Sequence, residues 1–524
     1  STVMPAFDFH CHPTLKPLFV KAGEEPSPWV KLEVNYIVGK VLGNEVKFKI
    51  NTLVNETLDS QSNFSQLSGN VQLIGLILHA PESHMGKGLL ERQMVANGKL
   101  DLLNADKLKV IEAGDHYFNW MNKELTFLKN NFLPPANLGL PPDAKVKLIT
   151  KASDFDAQAV NTVHCVLIIE GLHGFFNNPN SPNAMQEFQT NFESFTSANK
   201  IFAVNLTHLQ PMPFCNHASG MQFLREELFT PNGNSISSEG AAVIDKIYSK
   251  NILIDTKHMG VVARTHLYAL RSQNNYTLPV ICTHAGLTGI RLSERLNYLR
   301  ERVRTFSKNK QVWEVTHLKK LGHVDYAAFN MTSINLYDDD VEQILLSDGL
   351  IGISLDQRIL GFPTDHVGYK WNIYPHDTEY ISKLETKAFF GIDDPTRYPA
   401  NTLAENTLTG DDALAQETNT EMIHAYYFMN QVIHILKIGK NIGLSYDKIK
   451  TQICIGSDFD GLINAIDCCK NVTQFEGFKK MLLEITDKKE FWRNTGFKKR
   501  DINMEDLLKY IFLKNGVDFT LKHL

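Results

Sequence analysis

Eight short runs rich in β-branched and other apolar residues recur along the 524-residue chain, separated by longer stretches of helical periodicity. They are VMPAFDF (3–9), NVQLIGLIL (70–78), VHCVLII (163–169), KIFAVNL (200–206), NILIDT (251–256), LPVICT (278–283), GLIGISL (349–355) and TQICIGS (451–457). Amphipathic segments lie between them, such as SSEGAAVIDKIYSKN (237–251), VARTHLYALRSQNN (262–275) and EMIHAYYFMNQVIHILKIGKNIG (421–443). Strand and helix alternating eight times predicts an α/β chain folded as a (β/α)8 TIM barrel, because near-continuous apolar strands require a parallel sheet covered on its outer face. A doubly wound open sheet is the alternative. Three connections exceed simple crossovers, at about 14–69, 291–345 and 356–420, and are read as insertions into one domain spanning 1–524. Those following a strand end would wall a pocket on the catalytic face.

Composition narrows the function. Hydrophobic residues make up 43% of the chain, enough for a large core, and 53 basic against 58 acidic residues leave a formal charge of −5. No basic cluster suits a nucleic acid or an anionic membrane, and no apolar run approaches the roughly 20 residues of a membrane span. Seven cysteines at irregular spacing suggest no disulfide framework, which favours a reducing, cytoplasmic setting.

Chemistry in a barrel belongs at the carboxyl ends of its strands. The first run ends in FHCH, and residues two apart in a strand share a face, so His10 and His12 aim at one spot while Cys11 faces the layer between barrel and helices. Glu170 follows the third run, Thr207 and His208 the fourth, His258 the fifth, His284 the sixth and Asp458 the eighth. Each residue alone has an ordinary structural reading: a helix cap, a buried acid, the start of a turn. Together they form the imidazole and carboxylate set that suits a pair of borderline divalent cations. His79, His84 and His173 lie near strand ends without matching partners and are assigned structural roles, as are His164, His424 and His434. The acidic YDDDVEQ (337–343) reads as the first turn of a helix, and Cys468 and Cys469 as packing.

With these residues in hand, the chain resembles the membrane (renal) dipeptidase family of zinc metallopeptidases, a branch of the amidohydrolase-like barrels. The blocks FDFHCHP, LIIEGLHG, VNLTHLQPMPFCNHASG, ILIDTKHMG, PVICTHAG and CIGSDFDG carry the resemblance, in order. It implies two divalent ions, zinc foremost, with His10 and His12 on one, Glu170 bridging, and His258 and His284 on the other. Asp458 would sit beside the activated water and accept its proton, and His208 would face the substrate's carbonyl oxygen. The implied activity is hydrolysis of a dipeptide's amide bond, and the implied assembly a homodimer. Two departures stand out: the family usually carries an aspartate where this chain has His12, and its substrate-carboxylate arginine falls near Ile334. Arg291 and Arg295 are the nearby residues that could substitute for that arginine. Another amide or a lactone, such as an N-acyl amino acid, is the competing substrate class, and a non-catalytic ligand-binding barrel the more distant one.

Overall fold

The computed structural model describes residues 4–19, 27–32, 36–42, 44–48, 59–87, 104–219, 230–231, 233, 235–299, 303–305, 310–361, 378–395, 407–408 and 419–524. Eight parallel strands form its centre: β1 (Ala6–Cys11), β2 (Val71–Leu78), β3 (Thr162–Ile169), β4 (Ile201–Asn205), β5 (Leu253–Asp255), β6 (Val280–Ala285), β7 (Ile351–Ile353) and β8 (Ile453–Ile455). Each pairs with the next in sequence order. The ring closes just past β8, where Asp458 N donates to His10 O at 2.8 Å, His12 N donates to Phe459 O at 2.8 Å, and Cys11 bridges Phe459 in parallel. This is the expected TIM barrel, and each of the eight apolar runs overlaps one of its strands.

Helices cover the ring: α1 (Phe64–Ser68), α2 (Tyr117–Lys129), α3 (Ala184–Ala198), α4 (Ser238–Ser249), α5 (Val261–Gln273), α6 (Asp338–Leu346), α7 (Thr420–Asn441) and α8 (Phe475–Asp487), with α9 (Asn515–His523) across its base. The capping chemistry is local. Ser237 accepts from Gly240 N at 3.0 Å to open α4, and Asp340, inside the acidic run assigned to a first helical turn, accepts from Tyr337 N at 2.9 Å to open α6. The barrel interior below the mouth is apolar, filled by Phe7, Phe9, Ile77, Ile168, Phe202, Ile281 and Cys454. Phe519 of α9 closes this plug from beneath, with ring centroids 6.2 Å from Phe9 and 6.3 Å from Phe202. Truncating Phe9, which is fully buried, would cost about 3–5 kcal/mol. None of the helices among the described residues is long and apolar enough to cross a membrane.

Two of the long connections join each other. Val312–Thr316, from the connection after β6, pairs antiparallel with Thr378–Ser382, from the connection after β7, and Lys319–Lys320 pairs with Thr407–Leu408. The segment expected to run from 291 to 345 as an insertion contributes its last residues to the barrel helix α6. Much of 14–69 and 356–420 lies outside the described residues.

Candidate metal centre

A register slip places the first ligands. Asp8 pairs with Ile74 but Cys11 with Leu76, so β1 carries one extra residue between them. Such a bulge re-aims side chains next to a site. Phe7 and Phe9 point into the barrel below it, His10 and His12 point into the mouth above it, and Cys11 packs outward in the layer under the helices, as alternation predicts.

The ligand atoms sit close together. His10 Nε2, His12 Nε2 and Asp458 Oδ1 form a triangle with sides of 3.2, 3.2 and 3.3 Å. A tetrahedral ion with bonds near 2.0 Å separates its ligand atoms by roughly 3.3 Å, so this triangle matches one face of a zinc-type site. Glu170 completes the cluster, with Oε2 at 2.9 Å from His10 Nε2 and Oε1 at 3.5 Å from His12 Nε2. The same Oε2 also faces His258 Nε2 at 3.8 Å and His284 Nε2 at 3.7 Å, while Asp458 Oδ2 lies 3.8 Å from His284 Nε2. All six residues predicted as metal ligands therefore converge, with Glu170 in contact with all four histidines.

The surroundings hold five of these six side chains in the states that a metal needs, His10 being the exception. Burial lowers the pKa of His12, His258 and His284, leaving neutral imidazoles. Burial opposes the charge on Glu170 and Asp458, but the neighbouring histidines hold both carboxyls well below their usual range. Burial also opposes a charge on His10, yet Glu170 and Asp458 push it up to about 10. The carboxylates thus hold a proton on His10, and a divalent ion offers the same compensation with two charges. Both ring nitrogens of His258 are buried without a hydrogen-bond partner, a costly arrangement for an imidazole with no other role. His258 and Asp458 adopt left-handed backbone, with φ of 71° and 61°, a strain that clusters at functional sites. Gly461 makes room for Asp458 and His12, since a Cβ there would stand 2.3 Å from Asp458 Oδ1 and 2.9 Å from His12 Cδ2.

Supporting hydrogen bonds orient the ligands. His10 Nδ1 pairs with Thr283 Oγ1 at 2.9 Å, and Thr283 donates to the buried Asp255. Ser457 donates to Asp8, which braces the closing strand against the first.

His208 lies where the sequence reading puts it, at the cavity, with Nε2 3.3 Å from Glu170 Oε1. Its Nδ1 faces a residue that the reading missed: Glu82, fully buried, which accepts from His208 and lies 3.2 Å from His79 Nε2. Burial works against the Glu82 charge, but His208, His79 and His173 hold its carboxyl well below the usual range. His79 was assigned a structural role, yet it lines the cavity and its Nδ1 contacts Glu170 O at 2.9 Å. His173 is held by Ala80 O at 2.7 Å, outside the cavity, as its structural assignment requires. A histidine at the end of β2 followed by a glutamate three positions on was the signal available for the Glu82 pair. His164, bonded to Gln72 O at 3.0 Å, and His424, which accepts from Asp467 N at 2.8 Å, are structural as expected.

The cavity over these groups has a volume of about 120 Å³. Its outer wall carries Ile334, Ile359, Leu462, Lys257, Asp356 and Arg358. Arg291 and Arg295 do not line it. Arg291 is paired with Glu342 and Asp339 on the surface, and Arg295 is packed over Phe389 with its guanidinium on Ala388 O at 2.9 Å.

No family model and no curated protein matches the sequence. Among solved structures, the chain is similar to a metallopeptidase from Rhodobacter sphaeroides determined with a phosphinate mimic of the dipeptide L-Ala-D-Ala, at 11% identity and a TM-score of 0.46, covering 99% of each chain. It is similar to the probable dipeptidase PvdM from Pseudomonas aeruginosa at 13% identity and a TM-score of 0.46, covering 99% of this chain and 96% of the other. An amidohydrolase from Pseudomonas aeruginosa follows at 11% identity and a TM-score of 0.42, covering 90% of this chain and 91% of the other.

Proposed function

We propose that the chain is a metal-dependent hydrolase of the membrane dipeptidase type, holding two divalent ions, zinc by donor chemistry, and cleaving the amide bond of dipeptides. The triangle of His10, His12 and Asp458 at tetrahedral spacing, with Glu170 against it, carries this reading. His10, His12, Glu170 and Asp458 would hold one ion, and Glu170, His258 and His284 the other. Bound there, such ions polarise a carbonyl group and make water nucleophilic near neutral pH.

The remaining work falls to the side chains. His208, oriented through Nδ1 by Glu82, presents Nε2 to the substrate's carbonyl oxygen, where negative charge develops during attack. Asp458 keeps its carboxylate ionised at neutral pH and is the site carboxylate with most access to the cavity, its side chain 16% exposed against 4% for Glu170. It accepts the water's proton and returns it to the departing amine. The apolar wall of Ile334, Ile359 and Leu462 excludes bulk water from the reacting groups.

The test is hydrolysis of L,L- and L,D-dipeptides by zinc-reconstituted protein beside a chelated control. Cleavage that disappears on chelation and returns with zinc is the expected result. A protein that holds two ions per chain by elemental analysis and cleaves no dipeptide overturns the proposal and turns attention to other amides and lactones.

A further inference from the structure

The apolar wall of the cavity is gripped from behind by a residue of the long connection after β7. Ile334 lines the cavity from an irregular turn in the connection after β6, and it packs with Ile359 and Ala218 as one apolar cluster. A turn without a ladder of its own takes its shape from whatever partners its backbone groups find. Here each carbonyl from Ser333 to Asn335 accepts from a side chain: Arg264 donates to Ser333 O at 3.2 Å and to Asn335 O at 3.1 Å, and Lys257 to Ile334 O at 3.0 Å. Asn335 carries the grip to the second wall residue, its Nδ2 donating to Ile359 O at 2.8 Å. The remaining hold on the turn is Glu379, from the strand Thr378–Ser382. Its Oε2 accepts from Ser333 N at 3.0 Å and from the Ser333 hydroxyl, and its Oε1 accepts from His317 Nε2 at 2.7 Å. Glu379 is 1% exposed, and a carboxylate so deeply buried is costly unless its donors compensate. Two of the hydrogen bonds that compensate it come from the residue next to Ile334.

We propose that Glu379 is a positioning residue for substrate selection: by fixing Ser333 it sets Ile334 at the cavity, and the wall so formed selects substrates that present a compact, branched apolar group to it. The inference rests on the hydrolase reading for what enters the cavity and adds what shapes it. None of Ser333, Asn335 and Glu379 lines the cavity, so Glu379 acts through Ile334 and not on the ligand. With the backbone groups of the turn engaged by Glu379, Arg264 and Lys257, the turn presents the side chain of Ile334 to a ligand.

The test reads selection with and without turnover. Acetohydroxamate and isobutyrohydroxamate share a metal-chelating head, and the second carries a branched apolar group. In calorimetric titration of the zinc-reconstituted protein, isobutyrohydroxamate should bind about tenfold more tightly, the lower end of what a methylene contributes in an apolar pocket. Ile334→Ala should remove most of that preference. Glu379→Met, which deletes the acceptor at similar volume, should do the same with its metal retained by elemental analysis. Glu379→Gln should restore the preference. Its amide oxygen accepts from Ser333 N, while His317, whose Nδ1 is buried without a hydrogen-bond partner among the described residues, can carry its proton there and accept the amide N–H at Nε2. Because Glu379 acts through Ile334, Glu379→Met should add nothing to the loss in Ile334→Ala. In turnover, Glu379→Met should lower kcat/KM through KM, and only for dipeptides with a branched apolar residue. A folded, metal-loaded Glu379→Met with the wild-type preference overturns the proposal. So do additive losses in the double variant, and a wild-type protein that binds the two hydroxamates equally or not at all. If Glu379→Met does not fold, Ser333→Ala, which removes one of the hydrogen bonds to Glu379, decides: a reduced preference supports the proposal and an unchanged one overturns it. Failure of the hydrolase reading is separate, since no dipeptide is then cleaved while the titrations still report on the wall.

Discussion

Replacing Glu82 by glutamine tests whether the carboxylate beneath His208 contributes to catalysis. The substitution keeps the side chain's shape in a fully buried position, so it removes charge and one acceptor without opening a cavity. Glu82 accepts from His208 Nδ1, lies 3.2 Å from His79 Nε2 and takes a long contact from Leu209 N at 3.4 Å. Glutamine offers one carbonyl oxygen to two imidazoles, and its amide group then faces a ring N–H with no lone pair. Hydrogen bonds to charged groups contribute about 1.5–3 kcal/mol against about 0.5–1.5 kcal/mol for neutral ones. The difference, about 1–2 kcal/mol, corresponds to roughly 5- to 30-fold in rate if it appears as loss of His208 orientation in the transition state. Glu82→Gln should therefore lower kcat/KM on a cleaved dipeptide by about that factor, with two ions per chain retained by elemental analysis. A folded variant with full metal and a rate within twofold of wild type would refute a positioning role for Glu82.

Asp458→Asn should lower turnover by roughly 10²–10⁴-fold, the usual contribution of a positioned acid–base group, with at least one ion per chain retained; near-normal turnover would remove Asp458 from proton transfer. Glu385 supplies a pH prediction away from the centre. Burial, reinforced by Glu379, pushes its carboxyl up from 4.5 to about 8, so the folded protein binds this proton more tightly than the unfolded chain. The associated stability is full below the unfolded value and lost as pH rises through about 8. The Tm of Glu385→Gln should therefore gain on wild type between pH 5 and pH 9, and parallel Tm profiles would refute the ionisation.

The barrel was legible in the sequence because a parallel sheet buried on both faces must be written as apolar runs, and the ligands because each interrupts or follows such a run with an imidazole or carboxylate. His284 illustrates the limit of boundary placement: it follows the apolar run at 278–283, yet it lies inside β6, which extends to Ala285. The bulge in β1 left no composition signal, since it depends on how Asp8 and Cys11 register against β2. Glu82 was legible only in part: its spacing from His79 is local, but its partners His208 and His173 come from distant connections. Pairing of Val312–Thr316 with Thr378–Ser382 is likewise set by tertiary packing between two irregular segments.

The seam that closes the barrel also governs when the centre can exist. Ser457 and Asp8 meet across 449 positions of chain, and the triangle of ligands straddles that seam, with one corner on the first strand, one just past its end and one just beyond the last strand. During synthesis on the ribosome, His10 and His12 emerge well ahead of Asp458 and wait for it while the intervening strands are made. Until then the nascent chain holds scattered histidines with low claim on a metal, and the complete ligand set forms only as the ring shuts. Loading is thereby tied to completion of the barrel, so a chain stalled before its eighth strand would remain without the centre.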